Sequence, residues 1–386
     1  MSDRLQVLVV PKWYPWPDRP VLGIFCREHA RALATRHDVV VLASLATRRP
    51  GFAAFRLDDA VEDGIRTIRI RYRRPVLRPA AMGFQLLGML AALRRLRRDG
   101  WRPDVVHAHV YQAAPPALAL GRLSRAPVAV TEHYTGFQRG LVTGYDRTLA
   151  RLSFERADVV APVSDELAGH LRGLAPGARI EVVANVVDTS AFTPPGVHLA
   201  GDAEGARLLT VAALAEKKGH RHLLEALANV PDATLDVVGD GELRGELERL
   251  AADLGVGERV RFLGERPKEE VAELMRAADL FVLASLAENL PVVLIEAQAS
   301  GLPAVATRVG GVPELVDRDA GVLVEPADPG ALAGAIRDVL ARRADFDPTA
   351  LADRAADRYG YDAIAERWTA IYADLRRSRA SASGDS

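Results

Sequence analysis

At 386 residues, 49% hydrophobic and 26% charged, the chain has room for two domains of ordinary size and the make-up of a globular protein. Its single cysteine, Cys26, excludes an internal disulfide framework and a cysteine-rich metal site, and suits a reducing compartment. The net charge of −1 hides an asymmetry: residues 1–195 hold 28 Lys+Arg against 18 Asp+Glu and the remainder 22 against 33, which points to two modules with different partners.

The apolar run Arg4–Val10 leads straight into Pro11-Lys12; it is too short for a secretory core and reads as a first strand. Strand-like runs follow at Gln6–Val10, Asp38–Ala43, Thr67–Tyr72, Val105–Ala108, Val128–Thr131 and Val159–Pro162. Helices fill the gaps, for example Cys26–Thr35, Phe84–Asp99 and Asp165–Leu174. In the proline-rich loop after the first strand, Gly23 lets backbone approach a phosphate. Trp13, Tyr14 and Trp16 either stack on a sugar face or pack between domains.

Ten arginines between Arg66 and Arg98 flank the apolar segment Ala80–Leu93. Fourteen residues cannot span a bilayer as a helix. The segment either lies in the headgroup region of an anionic membrane or forms a core helix with solvated arginines beside it. No nucleic-acid module accompanies the charge, so nucleic acid is not an expected partner. His133 follows Pro127–Thr131 at a strand's carboxyl end, where it bonds a substrate hydroxyl, stabilises a developing charge or simply bonds backbone. His107 and His109 share a strand face. With His133 they form a conceivable zinc triad, but no acidic ligand is suitably spaced, and no metal is expected.

Thr193–Gly196 and Gly201–Gly205 form the best linker, dividing residues 1–195 from residues 196–360. Beyond it a second alternating set runs through Leu208–Ala212, Leu235–Val238, Val260–Phe262, Leu280–Ala284, Ala304–Thr307 and Val322–Val324. The expected fold class is therefore α/β: two doubly wound Rossmann-like domains facing a cleft, with ligands at the carboxyl ends of strands. Lys217 and Lys218 precede Gly219 at the start of the helix His220–Leu227, where cations oppose the macrodipole. A bound polyanion reverses that penalty; Glu216 is the alternative neutraliser. Gly239–Gly245 nearly imitates a dinucleotide fingerprint, but its third glycine falls one position late, so it reads as a tight strand-to-helix turn.

Two glutamates eight residues apart, Glu288 and Glu296, carry the most information. Between them Pro291 opens an apolar helix, Val292–Ala299, that is expected to be buried. A carboxylate at Glu296 inside such a helix needs hydrogen-bond donors. The amides at the helix start favour a phosphate, and Glu296 lies on the order of 7–8 Å behind them, roughly one sugar ring away. That layout suits a nucleotide with sugars on either side of its phosphates. The plain alternative is an exposed or backbone-bonded Glu296 and a loop acid at Glu288.

Taken together, these residues resemble the family 4 retaining glycosyltransferases, which have the two-domain GT-B fold. The strongest stretch runs from Ser285 through Glu288, Asn289, Leu290, Pro291 and Glu296 to Pro303 and on to Gly310-Gly311 and Val316, matching the E-x7-E signature and its downstream glycine pair. Weaker matches are Gly23-Ile24-Phe25, Asp104–His107, Glu132-His133, Asn185–Asp188, Lys218-Gly219 and Gly239–Gly241. The resemblance implies that Glu296 bonds the nucleotide ribose and that Glu288 and the amides after it, at Asn289 and Leu290, hold the donor sugar. It further implies that Lys218 neutralises the diphosphate, that His133 contacts the donor sugar and that Gly23 lines the phosphate side. No bound metal or other cofactor is implied. Residues 361–376 become a helix returning to the first domain, and the polar residues 377–386 are expected to be disordered. The chain departs from the family at Ala213, where an arginine is common and Lys217 is the available substitute, and at Asn289, where glycine is common.

The expected partners are a nucleoside diphosphate sugar and a sugar or lipid-linked acceptor, with peripheral contact to an anionic membrane at the inner face of the plasma membrane. An arginine-rich, lysine-poor composition suits a high-GC bacterial source and an envelope polysaccharide or glycolipid pathway in the cytoplasm. The other classes to separate are a nucleotide-sugar epimerase or hydrolase on the same fold, and a non-catalytic sugar- or lipid-binding protein.

Overall fold

The computed structural model describes residues 4–48, 51, 54–74, 78–195 and 205–384. The chain divides into two units, Met1–Val186 with Tyr361–Ser386, and Val187–Gly360. The division falls at Val186 rather than at residue 195, because Val187 hydrogen-bonds Tyr359 O at 2.8 Å and Asp188 pairs with Lys268 at 3.1 Å, tying this stretch to the second unit. Residues 196–204 of the expected linker lie outside the described residues.

The first unit carries a seven-stranded sheet of order β3-β4-β2-β1-β5-β6-β7. Its strands are β1 (Gln6–Pro11), β2 (Asp38–Thr47), β3 (Phe55–Glu62), β4 (Ile65–Arg73), β5 (Val105–His109), β6 (Val128–Glu132) and β7 (Val159–Pro162). β1, β5, β6 and β7 and the first half of β2 are buried along their length, as parallel strands covered on both faces require, whereas β4 alternates buried Ile65, Thr67, Ile68 and Ile70 with arginines. Six of the seven were legible as runs; β3 was not. It pairs antiparallel with β4 through the two-residue turn Asp63-Gly64, both at positive φ (50° and 78°), the geometry that favours Asp-Gly in hairpins.

One core joins Val7, Val9, Val41 and Val105 of the sheet to Ala30 and Leu33 of the helix Ile24–Arg36. Trp368 and Tyr372 of the last helix, Tyr361–Gly384, fill the same core. That helix is anchored by Tyr361 to Glu28, by Thr369 to His37 at 2.9 Å and by Asp374 to Arg179 at 2.7 Å. It runs on through Gly384 where disorder was expected from residue 377, because Ala and Arg favour helix and Arg377 and Arg379 pair with Asp374 and Asp158. Asp385 and Ser386 lie outside the described residues.

Three arginines of the basic stretch are neutralised internally. Arg66 bonds Asp59 and Asp99, Arg69 bonds Glu62 and stacks over Trp16, and Arg95 bonds Asp59. The helix Arg78–Arg98 buries Met89, Leu93 and Leu96, and leaves Met82 and Leu87 exposed. It is a core helix with arginines beside it. Among the described residues no helix is long and apolar enough to cross a membrane. Tyr14 and Trp16 are core residues of this unit, at 4% and 3% exposure, and so not free to stack on a ligand.

The second unit carries six parallel strands in the order β10-β9-β8-β11-β12-β13. They are β8 (Ala206–Val211), β9 (Ala233–Val238), β10 (Val260–Gly264), β11 (Leu280–Leu283), β12 (Ala304–Thr307) and β13 (Gly321–Val324). Leu208, Leu235, Leu280, Val282 and Val305 pack with Leu223, Leu227, Leu332 and Ile336 from the covering helices. Gly239 and Gly241 press against the carbonyls of Ala212 and Leu214, where an added Cβ would sit 2.1 and 2.5 Å away. That close approach, rather than a dinucleotide, accounts for the near-fingerprint.

Candidate functional site

In each sheet the strand order reverses once, and the loops after the two strands flanking that point diverge and leave a crevice at their carboxyl ends. In the second unit the point lies between β8 and β11. The loop after β8 closes in a 3-10 turn, Glu216–Lys218, followed by Gly219 at φ 62°. A Cβ on Gly219 would lie 2.0 Å from Ala284 O, so only glycine lets this turn reach the end of β11. Leu286 N donates to Lys217 O at 2.8 Å, and Thr307 Oγ1 donates to Ser285 O at 2.5 Å, locking the two loops and β12 together.

This framework brings Lys218 Nζ to within 2.5 Å of Glu288 Oε1, which also accepts from Ser285 Oγ at 2.7 Å. Glu288 is 5% exposed. The partner of Lys218 is thus Glu288, seventy positions on in the chain, and not Glu216. Lys217 is half-buried beside it and Ala213 is exposed on the same loop. Asn289 and Leu290 are buried, with Asn289 O accepting from Gly311 N at 2.7 Å. Pro291 is the N-cap of the helix Val292–Ala299, one position before the expected place. The helix is apolar and buried through Leu294, Ile295 and Ala297. Glu296 itself is half-buried and has a partner within the protein, which corrects the expectation of a sealed carboxylate. Its position on the helix, not its burial, is what recommends it. A cavity of about 470 Å³ in this unit lies beside Arg207, Asp232 and Asp279, at the amino ends of the strands and away from these loops.

In the first unit the reversal lies between β1 and β5, in register at Pro11 and His109. His109 ends β5 and His133 follows β6. His133 Nδ1 lies 3.1 Å from Asn185 Oδ1, and its Nε2 lies 3.0 Å from His109 Nδ1. With the Asn185 oxygen accepting, His133 Nδ1 carries the proton and Nε2 presents a lone pair. Burial, then the neighbouring His29, holds His133 well below the usual imidazole range, so the ring is neutral at neutral pH. His107 is occupied at both nitrogens, by Tyr372 Oη and Thr131 Oγ1 at 2.6 Å each, and is structural. The His107/His109/His133 triad therefore does not form.

Glu132 organises this end of the sheet. Fully buried, it accepts from His133 N (2.9 Å), Tyr134 N (2.8 Å) and Tyr111 N (2.8 Å), so one carboxylate grips the loops after both β5 and β6. Burial lifts its pKa to about 7, although the three amides pull the other way. At the start of the loop after β5 Val110 is held at φ 73°, ψ 138°, a conformation that costs a β-branched residue on the order of 1–3 kcal/mol. Gly23, at φ 69°, caps the helix Ile24–Arg36, and a Cβ there would meet Trp13 C at 2.3 Å. The backbone it approaches is the protein's own. Residue-type reasoning missed roles for Glu132, Asn185, Ser285 and Cys26. Glu132 had a local signal in its place beside His133 at a strand end, and Asn185 and Ser285 stood within the stretches that carry the resemblance, without a role of their own.

Residues 200–357 match the family model for Glycosyl transferases group 1, and residues 22–191 match that for Glycosyltransferase Family 4. The chain is 31% identical over 377 residues to glycogen synthase from Mycobacterium tuberculosis, covering 91% of this chain and 88% of that one. It is 32% identical over 298 residues to D-inositol 3-phosphate glycosyltransferase from Corynebacterium diphtheriae, covering 72% and 67%. Among solved structures it is similar to HepE from Anabaena in complex with UDP and glucose, at TM-score 0.75 and 19% identity over 96% of this chain and 100% of that one.

Proposed function

The chain belongs to the family 4 glycosyltransferases and has their GT-B fold, and from that premise we propose that it moves a sugar from a nucleoside diphosphate donor to an acceptor hydroxyl with retention at the anomeric carbon. The observation that carries this reading is the 2.5 Å contact of Lys218 with Glu288 at the switch point of the second sheet. A cation held by one carboxylate at a crevice is ready to exchange that partner for a diphosphate. Lys218 then stabilises the leaving group as the anomeric C–O bond breaks. Glu288 and the amides after it, at Asn289 and Leu290, orient the donor sugar, Glu296 bonds the ribose, and Lys217 adds charge where Ala213 supplies none. His133, neutral and fixed by Asn185, exchanges its Nε2 contact with His109 for a sugar hydroxyl, with Gly23 at the phosphate side. The bond to the acceptor oxygen forms on the face the diphosphate leaves, and the diphosphate takes up the acceptor's proton. No resident metal or cofactor takes part.

The acceptor is a sugar or lipid-linked sugar of bacterial envelope polysaccharide or glycolipid synthesis, met in the cytoplasm. Contact with an anionic inner membrane surface rests on the exposed Arg71, Arg73, Arg74, Arg94 and Arg98 near Met82 and Leu87. Liposome flotation with no preference for anionic lipid removes that part. The main test incubates the protein with UDP-, GDP- and ADP-sugars, with and without an acceptor panel, in excess chelator. Acceptor-dependent product with the donor's anomeric configuration supports the reading. Epimer or free sugar accumulating without acceptor replaces transfer with epimerisation or hydrolysis, and donor binding without any turnover makes the protein a binder.

A further inference from the structure

Around His133 the first unit gathers a set of metal-ligating side chains. Cys26 lies in the first turn of the helix Ile24–Arg36, and its ligand atom lies with one each from His109 and His133 so that all three fall within 4.8 Å of one another. Cys26 and His109 are fully buried, while His133 is half-buried and opens a route from solvent. One ring nitrogen of His109, Nε2, is buried with no hydrogen-bond partner. The Asn185 oxygen on Nδ1 of His133 orients that ring and leaves Nε2 as the ligating atom, the outer-shell support that metal-bound histidines require.

We propose that Cys26, His109 and His133 bind a thiophilic divalent cation, Zn2+ foremost, and that its binding withdraws His133 from the donor sugar and stops transfer. One thiolate and two imidazoles are a zinc donor set, and the fourth position falls to water. Binding sets the three ligand atoms at the separations of about 3.3–3.8 Å that tetrahedral Zn–N and Zn–S bonds of about 2.0–2.3 Å dictate. The hydrogen bond between His109 and His133 gives way to the cation, and the Cys26 thiol releases one proton to water for each ion bound. The cation is an inhibitor at this site, not a catalyst, so the inference is compatible with transfer in the presence of chelator.

Cobalt titration of the full chain tests the site without reference to activity. Cys26 is the only cysteine, so a thiolate-to-cobalt charge-transfer band reports that residue alone. The expected result is one Co2+ per chain with that band, displaced by Zn2+ and weakened at least tenfold in affinity in Cys26→Ala. Cobalt bound without the band, or no cobalt bound, overturns the proposal, and the wild-type spectrum decides this even where Cys26→Ala folds poorly. In a transfer assay one equivalent of Zn2+ inhibits the parent, chelator reverses it, and Cys26→Ala keeps its activity in zinc; equal inhibition of Cys26→Ala refutes the coupling to His133. Only this second arm rests on the transfer reading, so failure of the site and failure of that reading are told apart.

Discussion

Lys218 and Glu288 offer a test in which stability and activity separate. Glu288 is 5% exposed, and the Lys218 side chain is 16% exposed. Lys218→Met leaves the carboxylate buried with the Ser285 hydroxyl still on it, a broken buried pair that costs about 3 kcal/mol. Glu288→Gln leaves the less enclosed ammonium, which reaches water, at about 1–2 kcal/mol. The double variant removes the uncompensated charge, so its loss falls short of the sum by roughly 2 kcal/mol. Urea unfolding of the four proteins measures this coupling from midpoints at constant m. Transfer rates behave differently: each single variant and the double lose well over tenfold in kcat/KM, because recovering stability does not restore the cation for the diphosphate. Additive stabilities within about 0.5 kcal/mol refute the ion pair. Wild-type transfer in any of the three variants refutes the assigned roles.

Three further outcomes follow from the geometry. The folded pKa of Glu132 is raised to about 7 from 4.5, so the stabilisation it provides is complete below about pH 4.5 and lost as pH rises through 7. Glu132→Gln, which cannot ionise, therefore costs more stability at pH 5 than at pH 8; the reverse order means the three amides keep the carboxylate charged. His29, His107, His109 and His133 all have folded pKa values depressed by burial, His29 to about 4. The unfolded chain takes up protons below pH 6.5 that the native state refuses, so stability falls with pH at up to about 1.4 kcal/mol per unit per histidine. A urea midpoint unchanged between pH 7.5 and pH 5.5 excludes buried neutral rings. Gly219→Ala meets both its φ of 62° and Ala284 O at 2.0 Å, whereas Gly140→Ala at φ 65° meets nothing within 4 Å. Gly140→Ala costs about 1 kcal/mol, while Gly219→Ala lowers the melting temperature further and reduces transfer more than tenfold by displacing Lys218; equal shifts in the two variants refute the close approach.

Much of the architecture was written locally. Alternating apolar strands and helices, twelve of the thirteen strands, the helices Asp165–Leu174 and His220–Leu227 and the Glu288/Glu296 window all follow from period, length and turn residues, which act between near neighbours. The hairpin strand Phe55–Glu62 was also encoded locally, in Asp63-Gly64, but its short, mixed pattern hid it. What stayed out of reach depends on which residues the fold brings together. Ser164 caps the helix Asp165–Leu174 through a local contact, its hydroxyl accepting from Leu167 N 3.1 Å away and three positions on. No such local rule ties Lys218 to Glu288, Cys26 to His109 and His133, or Tyr372 to His107. The sequence alone determined which segments become strands and which residue types stand at their carboxyl ends. Only the tertiary structure decided which of those ends adjoin, because a parallel sheet orders its strands by crossovers and burial, and charge, protonation and ligation depend on through-space neighbours.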